Sequence, residues 1–495
     1  MRRFLPSEFM GIVFKQSLKN IISSYAGFGI GAVNVLLLYP NFLRQDYYGL
    51  VTFLLSAGSL VWPIMAFGTP NSLVKFYSFY KTKSERDRLM SMNLLLPLIV
   101  GSTMGLLAFV FHGYILEYFN WKGTLVGDYL WLIFIIAIAI AYFELFFAWG
   151  KTQMKSVFGN FMREVFHRIC TSILLILVYF SVIGMEVFFY LLTFIYVLRT
   201  FVMAVYAFLL YFPKITFQFP TNKTSVLKYS FLMFIAGSVA MVMLDLDKVM
   251  IEPYMSIENV AIYGIAIYIA SVIAVPSRAM HQITYPMTAS ILNRKDRAAL
   301  KDLYKRSSVS LLVVGGLIFL LIVCNVHQLY QIIPEEYRVG MSVVLLISVV
   351  KLYDNILGNA NSILYNSDYY RWVLFSGVFL ALTAFFLNVW LIPKFGIYGA
   401  AYATFMAFFA YNSLKLFLIQ WKFGLSPFTS KTLPIVIGIA AIGSAFYFWE
   451  FPWHPLANIF LKSTALGITY ILFAHLFKVS EDISELIDRV FKRRQ

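Results

Sequence analysis

Cysteine and charge are what this sequence has least of. Two of its 495 residues are cysteine, and 13% are Asp, Glu, Lys or Arg, where a soluble protein carries about 25% charged residues. Cys170 and Cys324 each sit inside an apolar run. Two such cysteines cannot build a disulfide framework or a four-ligand zinc site, and both read as packing residues. Strand-type alternation is absent as well. Apolar residues are abundant instead, at 60% of the chain, with a mean hydropathy of +0.76. No soluble domain of this length could hide so much apolar surface. A cytosolic enzyme, a secreted disulfide scaffold and a disordered chain are therefore excluded, and lipid is the solvent of most of the chain. No cofactor is called for.

Runs of about 20 apolar residues, each long enough to span a bilayer, number fourteen, from 17–39 to 457–477. The second, at 49–74, is the least regular because Pro63 and Pro70 interrupt it. An all-α integral membrane protein follows, since open sheet edges do not survive in lipid. Arg2 and Arg3 lead into an amphipathic stretch without a small-residue cleavage site, so the first span is expected to stay in the protein. Acidic residues number 24 against 40 basic ones, a net charge of +16. With the N-terminus inside, 33 of the 40 fall on the cytoplasmic side and six outside, with Lys351 mid-span. That bias predicts a multi-pass membrane protein with both termini cytoplasmic. It also leaves little basic surface for nucleic acid. The tail after Ser480 carries Ile483, Leu486, Ile487, Val490 and Phe491 on one helical face and ends in Lys492, Arg493 and Arg494. It is expected to lie on the inner leaflet as an amphipathic cytoplasmic helix.

Two halves of the chain resemble each other at an offset of about 210 residues: Gly49 matches Gly264, Arg163 matches Arg371 and Gly184 matches Gly396. Six spans per repeat preserve orientation, so the repeat is parallel. The expected organisation is an N-lobe at 1–213, a cytoplasmic linker at 214–227, a C-lobe at 228–421, and two extra helices with the tail at 422–495.

Three stretches carry a likeness: LRQDYYGLVTFLLSAGSLVWPIMAFGTPNSLVKFY, LDLDKVMIEPYMSIENVAIYGIAIY and IPKFGIYGAAYATFMAFF. On these the sequence resembles the polysaccharide or O-antigen-type flippases of the multidrug/oligosaccharidyl-lipid/polysaccharide exporter (MOP) superfamily. The resemblance implies two six-helix lobes around a central cavity. It also implies movement of an undecaprenyl-pyrophosphate-linked oligosaccharide from the cytoplasmic to the periplasmic leaflet, with membrane lipids and a coupling ion, H+ or Na+, as further partners.

Charges within the hydrocarbon are costly and so become candidates for function. Lys351, Asp354, Asn355, Asn359 and Ser362 recur at steps of three and four, which predicts one polar helical face in span 10. A local ion pair with Asp354 is the alternative role for Lys351. Glu144 lies 210 residues before Asp354, so the two carboxylates are candidates for ion coupling. Arg163, His167 and Arg168, with Glu164, form a cationic cluster in span 5, and Arg278 and Arg199 are further candidates for the anionic substrate. Snorkelling anchors are the bland alternative for these. The superfamily resemblance makes Asp245, Asp247 and Lys248 a gating or structural cluster. A cation-coupled drug antiporter of the same superfamily is the competing transporter reading. A membrane-embedded polysaccharide enzyme is the competitor from another class, and short outer loops without a catalytic constellation argue against it.

Overall fold

The computed structural model describes residues 7–477 and Val479. The amphipathic tail expected after Ser480 lies outside the described residues. Among those described there is no strand, and the chain divides into two compact units, Met1–Ala261 and Ile262–Gln495.

The first unit contains α1 (Ser7–Val33), α2 (Tyr39–Phe42), α3 (Gln45–Ala66), α4 (Thr69–Tyr77), α5 (Lys83–Val110), α6 (His112–Tyr118), α7 (Leu125–Thr152), α8 (Val157–Phe161), α9 (His167–Tyr179), α10 (Met185–Leu210) and α11 (Lys223–Ile251). At the boundary, α12 (Glu258–Ser271) begins. The second unit continues with α13 (Val275–Asn293), α14 (Arg297–Ile332), α15 (Met341–Ile356), α16 (Ala360–Tyr365), α17 (Tyr370–Phe395), α18 (Ile397–Phe423), α19 (Thr432–Tyr447) and α20 (Pro455–Leu476).

Helix starts follow local chemistry. Thr82, Thr124 and Asp296 each accept a backbone N–H of the first turn of α5, α7 and α14 through their side chains. Prolines mark interruptions: Pro70 opens α4 directly after Phe67 adopts a left-handed conformation at φ 47°. The eighth span is likewise divided, by a 3₁₀ turn at Val272–Ala274 before Pro276. Two helices carry a π-helical turn, Asn34–Leu38 after α1 and Met162–Phe166 between α8 and α9. Gly184 and Gly396, matched by the repeat, cap the N-termini of α10 and α18, the sixth and twelfth spans.

Among the described residues, eleven helices are long and apolar enough to cross a membrane. They become twelve when Lys223–Val239 and Leu244–Ile251, bent by 59°, count as one span. The fourteen spans expected from hydropathy exceed this number for two physical reasons. The segment at 156–182 is divided by its π turn and carries Arg163, Glu164 and Arg168. The segment at 432–450 is a helix of 16 residues, about 24 Å at 1.5 Å per residue and shorter than a hydrocarbon core of about 30 Å.

In the first unit the core joins α4, α5, α7 and α10 through Leu73, Leu89, Phe143, Trp149 and Met203. In the second, α19 and α20 pack onto α14, where Leu312, Leu320, Ile439, Leu466 and Tyr470 are buried together. Large apolar side chains also stand exposed on the outer helix faces, Phe109 and Leu209 among them. In water such faces would drive association; in a multi-pass membrane protein they meet lipid.

Candidate functional site

The first unit gathers its charges around α7. Phe143, Glu144 and Phe147 occupy neighbouring positions on this helix, and two other segments and its own C-terminal end bring cations to them. From the π turn, Arg163 Nη1 lies 3.9 Å from Glu144 Oε2, and its guanidinium stands 5.1 Å from the Phe147 ring centroid. From α10, the Arg199 guanidinium lies 4.2 Å from the Phe143 ring and 4.8 Å from Tyr196. From the end of α7 itself, Lys151 Nζ is 3.9 Å from the Phe147 ring. Aromatic faces attract cations more strongly when water is excluded, which lets Arg199 sit almost wholly buried with its Nε lacking a hydrogen-bond acceptor.

The π turn sets this arrangement. One extra residue in the turn changes the face that Arg163 and Glu164 present, and such bulges recur at functional sites. Arg163 Nε then donates to Glu164 Oε1 at 3.2 Å, while Arg168 Nη2 lies 4.0 Å from Glu164 Oε2. Arg168 also donates to the Gly27 carbonyl on α1. A Cβ at Gly27 would come within 2.3 Å of the Glu164 carbonyl oxygen, so only glycine allows α1 this close. His167 sits one turn below, with a buried Nδ1 that has no hydrogen-bond partner.

The second unit has a smaller cluster between α15 and α18. Asp354 Oδ1 lies 3.6 Å from Lys415 Nζ, which also donates to Asn361 Oδ1 at 3.2 Å and stands 4.5 Å from the Tyr411 ring. Lys351 Nζ lies 4.6 Å from the Phe408 ring on the same helix, α18. The single polar face expected for span 10 does not form. The helix stops at Ile356, Gly358 turns left-handed at φ 54°, and α16 restarts at Ala360. Asn355, still on α15, donates to the Ile273 carbonyl at 2.9 Å, and Asn359, past the break, donates to Thr288 Oγ1 at 2.5 Å; both are buried in helix packing. Ser362 Oγ is 3.4 Å from His281 Nδ1. Lys351 and Asp354 stay partly exposed.

Glu144 and Asp354 thus share an offset of 210 residues and a cationic partner, but the partners differ in position: Arg163 in the fifth span, Lys415 in the twelfth. Lys415 is not among the candidate residues the sequence offers. Its helix runs on to Phe423, placing Lys415 about 12 Å inside the helix end. The signal that could have found it is the Tyr411–Asn412–Lys415 run, a polar stripe inside an apolar helix. Lys462 is likewise fully buried in α20.

Arg278 on α13 is exposed and joins neither cluster. At the other end of α11, Lys248 Nζ pairs with Asp245 Oδ1 at 2.7 Å, and Ser56 Oγ of α3 donates to the same oxygen at 3.3 Å. Asp247 lies between them in sequence on the same helix. Just beyond the span, the Trp121 indole donates to Glu252. Burial pushes the Glu252 carboxyl up to about 7, against the smaller opposing effect of that hydrogen bond. Among the described residues no three His, Cys, Asp or Glu side chains converge as metal ligands would.

Known proteins resemble this chain in sequence and in fold. A probable flippase of Haloferax volcanii, AglR, is 28% identical over 244 residues, which are 47% of this chain and 48% of that protein. The chain thus matches about half the length of that relative. Among solved structures, the lipid II flippase MurJ in an inward closed conformation superposes with a TM-score of 0.69 at 13% identity, covering 94% of this chain and 98% of that one. An inward-facing multidrug resistance MATE family transporter of the MOP superfamily gives 0.58 at 12% identity, covering 83% and 94%. At such identities the likeness is one of fold. The family model described as polysaccharide biosynthesis protein matches residues 13–292, more than half of the chain and the whole of the α7–α10 cluster. The chain belongs to the polysaccharide biosynthesis protein family, built on the fold of the MOP-superfamily transporters.

Proposed function

We propose that this protein flips an undecaprenyl-pyrophosphate-linked oligosaccharide from the cytoplasmic to the periplasmic leaflet of a bacterial inner membrane by alternating access, with both termini cytoplasmic. The observation that carries the reading is the excess of cations over carboxylates inside each unit. Arg163, Arg168 and Arg199 face Glu144 and Glu164 in the first; Lys351 and Lys415 accompany Asp354 in the second. A pyrophosphate entering such surroundings replaces weak pairings with charge-assisted hydrogen bonds, and Arg presents the fork that phosphate oxygens fit. Phe143, Phe147, Tyr196, Phe408 and Tyr411 hold those cations ready without neutralising them.

The family, the relative described as a probable flippase and the fold shared with a lipid II flippase all support transport of a lipid-linked glycan rather than catalysis. The same fold also serves a multidrug transporter. A cationic drug would meet net positive charge in both clusters, which favours the anionic substrate. Coupling to H+ or Na+ would act by competition, the ion displacing Arg163 from Glu144 or Lys415 from Asp354.

Lipid-linked sugars in a deletion strain test the proposal. Undecaprenyl-linked oligosaccharide is expected to accumulate in the cytoplasmic leaflet and to clear when the wild-type gene is restored. Arg163→Ala and Lys351→Ala, at matched expression, are expected to clear it at least about tenfold more slowly, the worth of one charge-assisted hydrogen bond. An unchanged lipid profile in the deletion strain would remove the flippase reading.

A further inference from the structure

A cavity of about 480 Å³ lies in the second unit, where the turn joining α13 to α14 meets the end of α18. Leu300 and Leu425 form a buried apolar floor, and Lys295, Arg297 and Lys422 stand around the rim. Arg297 bridges the two segments by donating from Nη2 to the Phe423 carbonyl at 2.8 Å. Asp296, the one acidic residue of the lining, accepts the Ala299 backbone N–H at 3.0 Å as the cap of α14. Its carboxylate is committed to the helix, and the rim keeps a net charge of +2 from three cations and one acid.

The surroundings fix the depth. Lys422 Nζ lies 3.3 Å from the Trp421 ring and 5.4 Å from Tyr369, Trp372 crosses Trp421 at 6.4 Å, and Phe423 crosses Tyr369 at 5.6 Å. Aromatic clusters of this kind sit at the level of lipid headgroups. Neither charge cluster of the proposed transport site contributes to this cavity.

We propose that this cavity binds the headgroup of an anionic phospholipid, its phosphate held by Lys295, Arg297 and Lys422 and its glycerol backbone resting on Leu300 and Leu425. The volume falls in the range that takes a small ligand, about 300–1,000 Å³. The rim charge selects against a zwitterionic headgroup, whose own cation it repels, and the apolar floor selects against a free phosphate. A bound lipid ties the α13–α14 turn to the end of α18. The assignment stands independently of which glycan, if any, the protein transports.

Native mass spectrometry of the full chain after incubation with equimolar phosphatidylcholine–phosphatidylglycerol vesicles tests it. The wild type is expected to retain phosphatidylglycerol in preference to phosphatidylcholine. Combined Lys295→Ala, Arg297→Ala and Lys422→Ala changes are expected to lower that retention about tenfold or more, as three lost cations at an anionic surface should. Lys295→Arg with Lys422→Arg should keep it, and a control with Lys81, Lys83 and Arg88 changed to Ala should leave it unaltered. Equal retention by the triple variant, equal loss in the control, or equally tight binding of glycerol phosphate in detergent would each overturn the proposal. Should the triple variant fail to fold, Lys422→Gln alone must lower retention, and an unchanged value counts against the site.

Discussion

Lys415 and Arg199 occupy helix interiors where an isolated charge would cost several kcal/mol; Arg199 is held between the Phe143 and Tyr196 rings, and Lys415 by the Tyr411 ring together with Asp354 and Asn361. Removing one partner of Lys415–Asp354 leaves the other uncompensated. Lys415→Ala or Asp354→Ala alone is therefore expected to lower stability by about 3–5 kcal/mol, while Lys415→Met combined with Asp354→Leu recovers most of it. Thermal unfolding followed by size-exclusion fluorescence checks this cycle, and additive losses in the double variant would argue against a direct pair. Glu252 offers a pH test. Its carboxyl is raised from 4.5 to about 7 by burial, so the folded protein holds this proton more tightly than the unfolded chain. Stability from this group is full below about 4.5 and is lost as pH rises through about 7. Glu252→Gln, which mimics the protonated form, is expected to flatten the stability profile across that window. A profile of unchanged slope would refute the shift.

The π turn at Met162–Phe166 is the element on which the first cluster depends, because it aims Arg163 at α7 while Arg168 reaches α1. Its packing against α1 requires the missing side chain of Gly27. Gly27→Val is expected to push α1 away from the Glu164 carbonyl and break the Arg168–Gly27 contact. Loss of about 1–3 kcal/mol follows from overpacking, with export reduced more than for a conservative change on a lipid-exposed face such as Leu209→Ile. Equal export by Gly27→Val and wild type, at equal melting temperature, would show that the turn does not need α1. Span 10 makes the complementary point. Its polar residues were legible as a stripe, yet the break at Gly358 separates Asn359 and Ser362 from the rest, and Asn355 packs against the Ile273 carbonyl while Lys351 and Asp354 remain partly exposed. No spacing rule detects a break that α14 backbone imposes: a Cβ at Gly358 would lie 2.6 Å from the Ser308 nitrogen.

Apart from Lys415, Arg199 and Lys462, most of the described basic residues lie at helix ends and in turns, where the positive-inside bias expects them. Asp296→Cys is accordingly expected to react with a membrane-impermeant thiol reagent only from the cytoplasmic side. Asp296 is exposed, whereas the neighbouring Ser307 is buried and unsuited to the test. Labelling of Asp296→Cys in intact cells would invert the topology. Hydropathy and charge bias alone determined the all-helical class, the membrane as solvent and most of the span positions, because these depend on how many apolar residues stand in sequence. The motifs around Gly49, Asp245 and Gly396 added the resemblance to polysaccharide flippases. Which charges meet was decided only by tertiary structure. Arg163 lies 19 residues from Glu144, and Lys415 lies 61 from Asp354; a π turn and a broken helix set which faces they present. Pairing of charges depends on the rotation and depth of helices distant in sequence, and a one-dimensional period carries no information about either.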